Sequence, residues 1–302
     1  MPEGLIVRRS QDFPIMSRIA YVNGKYEPHR TAAVHIEDRG YQFADGVYEV
    51  VPVQKGKLID EELHLDRLEF SLGELEIAAP MERRALKLVL REVLRRNGIE
   101  RGILYMQVTR GVAPRNHAFP VMARPALVIT CKRLKPVPAK YLEEGVGVIT
   151  IPDIRWKRCD IKTINLLANV LGKQRASEEG AYEAWQIDPE GEVTEGTSTN
   201  AWIVTKDRKI VTRPLGHEIL PGVTRRALLE LLKTTDYTLE ERTFRLEEAF
   251  AAAEAFLTSS SVFLLPITRI DGKKVGSGKP GDFSKKLRQL YLDHAERQAS
   301  AA

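Results

Sequence analysis

Cysteine is almost absent from this chain of 302 residues: Cys131 and Cys159 are too few for a disulfide framework and are not spaced as a zinc knuckle. Neither a disulfide scaffold nor a metal site is expected. Long apolar runs are missing too, none approaching the roughly 20 residues that cross a bilayer. The start, Met1-Pro2-Glu3-Gly4-Leu5-Ile6-Val7-Arg8-Arg9, lacks an apolar segment followed by a small-residue cleavage site. These absences lead us to expect a soluble, unexported, cytoplasmic protein with reduced thiols and no membrane partner. Charge of one sign is not in excess either, since 46 Lys and Arg stand against 41 Asp and Glu, a formal net charge of +5 spread along the chain. No basic face for nucleic acid is visible. There is no G-x-G-x-x-G loop, P-loop, H-E-x-x-H or G-x-S-x-G, which removes the cheapest support for nucleotide-binding and hydrolase readings.

What is present is enough apolar material, 43% of residues, to bury a substantial core in one large domain or two. Tyr21-Val22-Asn23-Gly24-Lys25-Tyr26 places Asn-Gly between β-prone residues, the mark of a tight hairpin. Val47 to Val53 reads as a strand, Leu65, Leu68, Leu72 and Leu75 recur at helical spacing, and a second helix near Arg83 to Arg96 stops at Asn97-Gly98. Strands follow at Ile103 to Thr109 and Ala126 to Cys131. Lys135-Pro136-Val137-Pro138 then reads as a semi-rigid linker. We therefore expect an arm (1–18), an N-terminal α/β domain (19–135) and a C-terminal domain (136–302). Beyond the linker come strands near Val146 to Ile151, Glu183 to Ile187 and Ala201 to Val204, and helices near Leu166 to Glu179, Thr224 to Lys233 and Asp282 to Ala295. This is an α+β pattern without strict alternation.

Composition cannot choose among the many lysines. Lys162 is singled out by its setting, Ile161-Lys162-Thr163-Ile164-Asn165-Leu166-Leu167, in which apolar residues enclose one basic side chain, with the positive charge of Arg155, Lys157 and Arg158 nearby.

This segment, with Val193-Thr194-Glu195-Gly196-Thr197-Ser198-Thr199-Asn200 downstream, resembles the fold-type IV pyridoxal-phosphate enzymes, and among them most closely the D-amino acid (D-alanine) aminotransferases. Glu37-Asp38-Arg39-Gly40-Tyr41-Gln42-Phe43-Ala44-Asp45-Gly46-Val47-Tyr48-Glu49-Val50, His64-Leu65-Asp66-Arg67-Leu68 and Leu220-Pro221-Gly222-Val223-Thr224-Arg225 add to the likeness, which runs in order from about Tyr21 to the last helix. The resemblance implies a two-domain α+β architecture with a C-terminal pseudo-barrel, and pyridoxal 5′-phosphate as cofactor. Lys162 would hold the cofactor covalently and act as acid and base in the proton shift. Glu195 would face the pyridine nitrogen. Arg67, Val223, Thr224, Ser259 and Ser260 would hold the phosphate, Leu220 would pack behind the ring, and Ser198 and Thr199 complete the cofactor set. At Ser260 the chain departs from the family's usual threonine, keeping the hydroxyl and losing the methyl that restricts χ1.

In D-amino acid aminotransferases an Arg-x-His motif, supplied by the partner subunit, joins a tyrosine to trap the substrate carboxylate. Arg115, His117 and Tyr48 match that pattern, so the resemblance also implies a homodimer. The substrates implied are D-amino acids, first D-alanine, and 2-oxo acids, first 2-oxoglutarate, exchanged by a ping-pong mechanism. The alternatives are a branched-chain L-amino acid or R-selective amine transaminase of the same fold, or a pyridoxal-phosphate-binding protein without turnover, against which Lys162 and Glu195 argue.

Overall fold

The computed structural model describes residues 18–301, so all of the expected N-terminal arm except Arg18 lies outside the described residues. Strands β1 (Ile19–Val22) and β2 (Lys25–Pro28) form the expected hairpin, with positive φ at both Asn23 (47°) and Gly24 (95°), the backbone that this turn demands. Next come α1 (Arg39–Phe43), β3 (Gly46–Gln54), β4 (Lys57–Leu58), α2 (Glu61–Glu74), α3 (Arg83–Asn97), β5 (Arg101–Thr109) and β6 (Ala126–Arg133). In β3 the alternate residues Val47, Glu49, Val51 and Val53 are all buried, so an acid shares the apolar face. α3 ends at Gly98, whose left-handed backbone (φ 54°) turns its N–H back to the carbonyls of Leu94 and Arg95. The six strands run β2-β1-β6-β5-β3-β4, antiparallel throughout. Helices α2 and α3 pack against it through Leu65, Leu68, Leu72, Leu86, Leu90 and Val93.

The second half contains α4 (Ala139–Glu143), β7 (Val146–Pro152), α5 (Leu167–Glu178), β8 (Glu183–Ile187), β9 (Val193–Gly196), β10 (Asn200–Val204), β11 (Lys209–Thr212), α6 (Val223–Leu232), β12 (Thr238–Glu241), α7 (Leu246–Ala251), β13 (Glu254–Ser259), β14 (Phe263–Ile270), β15 (Lys273–Lys274) and α8 (Asp282–Ser300). Its strands follow the order β12-β11-β10-β13-β14-β7-β8-β9, with β15 on β14 and parallel pairing at β11/β12, β14/β7 and β7/β8. The sheet curls until its ends meet: Val193 N donates to Phe244 O (2.9 Å), and Glu192 bridges to Arg245 just beyond β12. A partial barrel results, as the pseudo-barrel expectation required. One core holds Trp185, Leu257 and Leu265; a second, under α6 and α8, holds Trp202, Phe256, Leu228 and Leu287. The Lys135–Pro138 stretch lies between β6 and α4, and on that ground the division of the chain at Lys135 stays our proposal. No helix among the described residues is long and apolar enough to cross a membrane.

The two halves are tied by Asp60, which enters α2 with a left-handed backbone (φ 55°). Its carboxylate accepts from the Tyr291 hydroxyl (2.7 Å) and Gln298 Nε2 (2.8 Å) and lies 2.9 Å from His294 Nε2, all on α8. Burial alone would push its pKa up; the contacts to His294, Tyr291 and Gln298 outweigh that and hold it below 3.8. A depressed carboxylate stabilises the fold fully above its unfolded value and loses that contribution as pH falls through the folded one. Asp60→Ala is therefore expected to cost about 3 kcal/mol at pH 7 by stranding buried partners, read as a melting temperature several degrees lower. The deficit should shrink below about pH 4; one that is constant with pH would contradict an ionised Asp60.

Candidate active site

A cavity of about 500 Å³ opens between the halves and receives residues from β3, α2, the segment before α5, the loop after β9, the start of α6 and the end of β13. Behind its wall lies Glu49, fully buried, whose two oxygens accept from the cavity-lining Arg67 through Nε (2.7 Å) and Nη2 (2.8 Å), one of them also lying 2.7 Å from His64 Nδ1. His64 and Arg67 sit three residues apart on α2, so both face the strand. Burial would raise the Glu49 pKa, yet the Arg67 charge and the bonds from Arg67 and His64 bring it down to about 2. Burial lowers the His64 pKa, so its ring is neutral, Nδ1–H donates to Glu49, and Arg67 balances the carboxylate alone. Arg67 Nη1 also donates to Pro221 O (3.0 Å), which brings the guanidinium to the start of α6.

Lys162 lies in an irregular stretch pinned from both sides. Its N–H donates to Ser71 Oγ on α2 (3.2 Å), its carbonyl accepts from Tyr48 N (3.0 Å), and Ile164 N donates to Gly46 O (3.0 Å). Its Nζ stands over the Tyr48 ring, 4.2 Å from the centroid, and forms no ion pair among the described residues. Two of the positive residues expected to bear on it are committed elsewhere, and the third, Lys157, is exposed. Arg155 binds Asp153 (2.7 Å) and Glu195 (2.5 Å), and Arg158 pairs with Asp160 and Glu74. Of the apolar residues after Lys162, Ile164 and Leu166 are part-buried and Leu167 is exposed, and Leu166 and Leu167 share the cavity wall with the lysine.

Glu195 is buried at the end of β9. Besides Arg155, it accepts from Asn200 Nδ2 (2.9 Å) and from Leu220 N (3.2 Å to each oxygen), which places Leu220 in the cavity wall. Burial raises its pKa, and Arg155, the Leu220 amide and the Lys162 charge offset this only in part. In the loop after β9, Ser198 Oγ (2.9 Å), Thr199 Oγ1 (3.4 Å) and Thr197 Oγ1 all donate to the buried Glu183. Ser198 and Thr199 line the cavity with their hydroxyls turned to that carboxylate. Gly222 has to be glycine, since a Cβ there would stand 2.1 Å from Asn200 Oδ1. The α6 amides of Val223 and Thr224 stand at the cavity wall without a partner among the described residues, and the Thr224 hydroxyl itself is buried. Ser259 and Ser260, at the end of β13, line it as well. Cys159 lines it too, but burial pushes its thiol up to about 12, which leaves no thiolate at neutral pH.

Tyr48 lines the cavity, whereas Arg115 and His117 do not: within one chain they stand exposed on the β5–β6 loop, beside Phe43. The amino-transferase class IV family model matches residues 46–270, which carry Lys162, Glu195 and Arg67. The chain belongs to the class IV aminotransferases. It is 38% identical over 281 residues to the D-alanine aminotransferase of Staphylococcus haemolyticus, covering 93% of this chain and 99% of that protein. With the D-alanine aminotransferase of Bacillus licheniformis the identity is 42% over 265 residues, covering 88% and 93%. Among solved structures, the branched-chain amino acid aminotransferase of Escherichia coli matches with a TM-score of 0.85 at 21% identity, over 92% of this chain and 94% of that one. The branched-chain aminotransferase of the archaeon Thermoproteus uzoniensis gives 0.82 at 23%, over 93% and 97%. At such identity the likeness is one of fold, the fold-type IV architecture.

Class IV aminotransferases depend on pyridoxal 5′-phosphate, and the cavity of this aminotransferase fits that group. The two α6 amides and the two N–H bonds of Arg67 left after Glu49 and Pro221 are donors that would suit a phosphate, with Thr224 in the same wall. Asp153 and Glu195 share one guanidinium, leaving a buried negative charge that suits a protonated ring nitrogen. Sequence reasoning gave no role to Glu49, His64, Asn200 or Gly222, and set Arg155 beside Lys162 rather than Glu195. Glu49 alone carried a signal, an acid at an inward position of an alternating strand.

With a folded pKa of about 2 against an ordinary 4.5, Glu49 contributes about 3 kcal/mol that is complete above pH 4.5 and lost as pH falls toward 2. Glu49→Gln should lower unfolding free energy by about that amount at pH 7 in urea titrations, with the gap to wild type narrowing at pH 3. Equal gaps at both pH values would mean that Glu49 is not the charged partner of Arg67.

Proposed function

We propose that this aminotransferase uses pyridoxal 5′-phosphate to move the amino group between D-amino acids, D-alanine foremost, and 2-oxo acids such as 2-oxoglutarate, as a cytoplasmic homodimer. The observation that carries the reading is Lys162 Nζ, held without an ion pair over Tyr48 in a cavity bounded by the Glu195 carboxylate and the Arg67–Thr224 cradle. Bound there, the cofactor supplies a protonated ring that accepts the electrons released when the substrate Cα proton leaves.

The chain's own groups do the rest. Lys162 Nζ holds the cofactor, takes the Cα proton and returns it one atom away. Glu195 keeps a negative charge opposite the ring nitrogen, an arrangement that Arg155 and Asn200 orient. Arg67, Thr224, Ser259, Ser260 and the amides of Val223 and Thr224 hold the phosphate, and Leu220 packs behind the ring. Ser198 and Thr199 shape the loop through Glu183. Tyr48, with Arg115 and His117 of the partner subunit, receives the substrate carboxylate. Support for D-amino acids comes from the D-alanine aminotransferases at 38% and 42% identity together with the retained Arg115-Asn116-His117. The branched-chain neighbours, at 21% and 23%, speak for fold only.

Borohydride reduction of the loaded enzyme followed by peptide mapping should place the pyridoxyl group on Lys162, and Lys162→Ala should abolish transamination; a label on another lysine would sink the assignment. For Arg115→Ala, the apparent affinity for D-alanine and for 2-oxoglutarate should fall by about 1.5 to 3 kcal/mol, the worth of one charged contact, with the cofactor absorbance unaltered. An amine without a carboxylate should lose little. If L-leucine reacts faster than D-alanine, the branched-chain reading takes over.

A further inference from the structure

We propose that Phe43 is a positioning residue for the substrate-carboxylate arginine and histidine, an inference that rests on the reading of Arg115 and His117 given above. Phe43 closes α1, and its ring is the common surface for three side chains. The Arg115 guanidinium carbon lies 4.5 Å from its centroid, that of Arg39 4.9 Å, and the His117 ring 5.3 Å away at 49°. A guanidinium over an aromatic ring is attracted by the π face, and the contact leaves its N–H bonds without a hydrogen-bond partner there. The Phe43 ring thus restricts where Arg115 stands without using a donor. Neither Arg115 nor the His117 ring makes a hydrogen bond or ion pair among the described residues, so both keep their polar edges for a carboxylate.

The backbone beneath them is clamped separately. Arg39, itself buried, donates through Nη1 to Asn116 O (2.5 Å) and Ala118 O (3.4 Å) and through Nη2 to His117 O (3.3 Å). Its Nε is held by Asp45 (2.7 Å), which also receives Arg110 Nε (2.8 Å). With the main chain fixed in this way, the remaining freedom of Arg115 and His117 lies in their side-chain torsions, and Phe43 restricts both. Asp45 immediately precedes β3, the strand that carries Tyr48, so one short stretch sets both the tyrosine of this chain's cavity and the loop bearing Arg115.

The test is Phe43→Leu, which keeps apolar bulk and removes the flat ring, with Phe43→Tyr as the conservative control. On the cofactor-loaded dimer, Phe43→Leu should raise KM for D-alanine by between about threefold and thirtyfold, the range of one stacked cation, while kcat at saturation stays within about twofold. The Kd of D-lactate, which has the carboxylate and no amine, should rise equally by calorimetry. D-alaninamide should be unaffected, and Phe43→Tyr should restore wild-type values. Phe43→Leu added to Arg115→Ala should cost less than Phe43→Leu alone, since only His117 is then left for the ring to position. If Arg115→Ala raises KM for D-alanine and Phe43→Leu does not, the positioning role is wrong and the reading of Arg115 stands. Equal losses with D-alanine and D-alaninamide, with a lower melting temperature, would likewise overturn it by making Phe43 a plain packing residue. Arg115→Ala without effect on D-alanine would remove the underlying reading itself.

Discussion

A carboxylate with no access to water has to find its counter-charge inside the protein, and Glu49 finds it in Arg67. Leaving either member alone would cost several kcal/mol, so the pair forms together or the local fold fails. Forming it draws α2 onto β3, orients His64, and delivers the outer edge of Arg67 to the carbonyl of Pro221, where α6 begins. The cradle proposed for phosphate therefore depends on an acid that a phosphate would not touch: Glu49 takes two of the five N–H bonds of Arg67 and Pro221 O a third, and the planar group fixes the directions of the two that remain.

The same device recurs. Asp45 holds Arg39 and Arg110; Arg39 caps the carbonyls of residues 116–118, and Arg110 those of Leu75 and Glu76 while its guanidinium lies 3.6 Å from the Phe119 centroid. Asp153 holds Arg155, which meets Glu195 and the carbonyl of Glu218. In each case an acid fixes an arginine, and the planar fork fixes a loop that has no regular backbone pairing of its own. Loops that must present side chains at set positions are made rigid in this way while their tips stay open to solvent.

Charge balance distinguishes the three clusters. Arg67 neutralises Glu49, whereas Asp153 and Glu195 have a single guanidinium between them, and burial then raises the Glu195 pKa. A buried carboxylate that shares its only guanidinium gains from a further cation, and the gain is greater where water is excluded. The raised pKa and the proposed partnership with a protonated ring nitrogen are thus one property seen without and with the ring.

The sequence by itself determined what short-range chemistry can specify. Asn23-Gly24 announced its hairpin because a type I′ turn needs two positive φ angles, Gly98 ended its helix for a similar reason, and the alternation of Val47, Val51 and Val53 gave the strand. Lys162, Glu195, Arg67 and Thr224 were legible only through the likeness of their surroundings to a family, and all four line one cavity. Tertiary structure alone decided the pairings: that Arg155 serves Glu195 rather than Lys162, that Ser198 and Thr199 turn to Glu183, that Glu49 rather than solvent meets Arg67, and that Phe43 lies under Arg115. The reason is range. Turn and strand signals act between neighbours in the chain, whereas a buried charge chooses its partner among groups brought near by packing, and that choice exists only once the chain has closed around it.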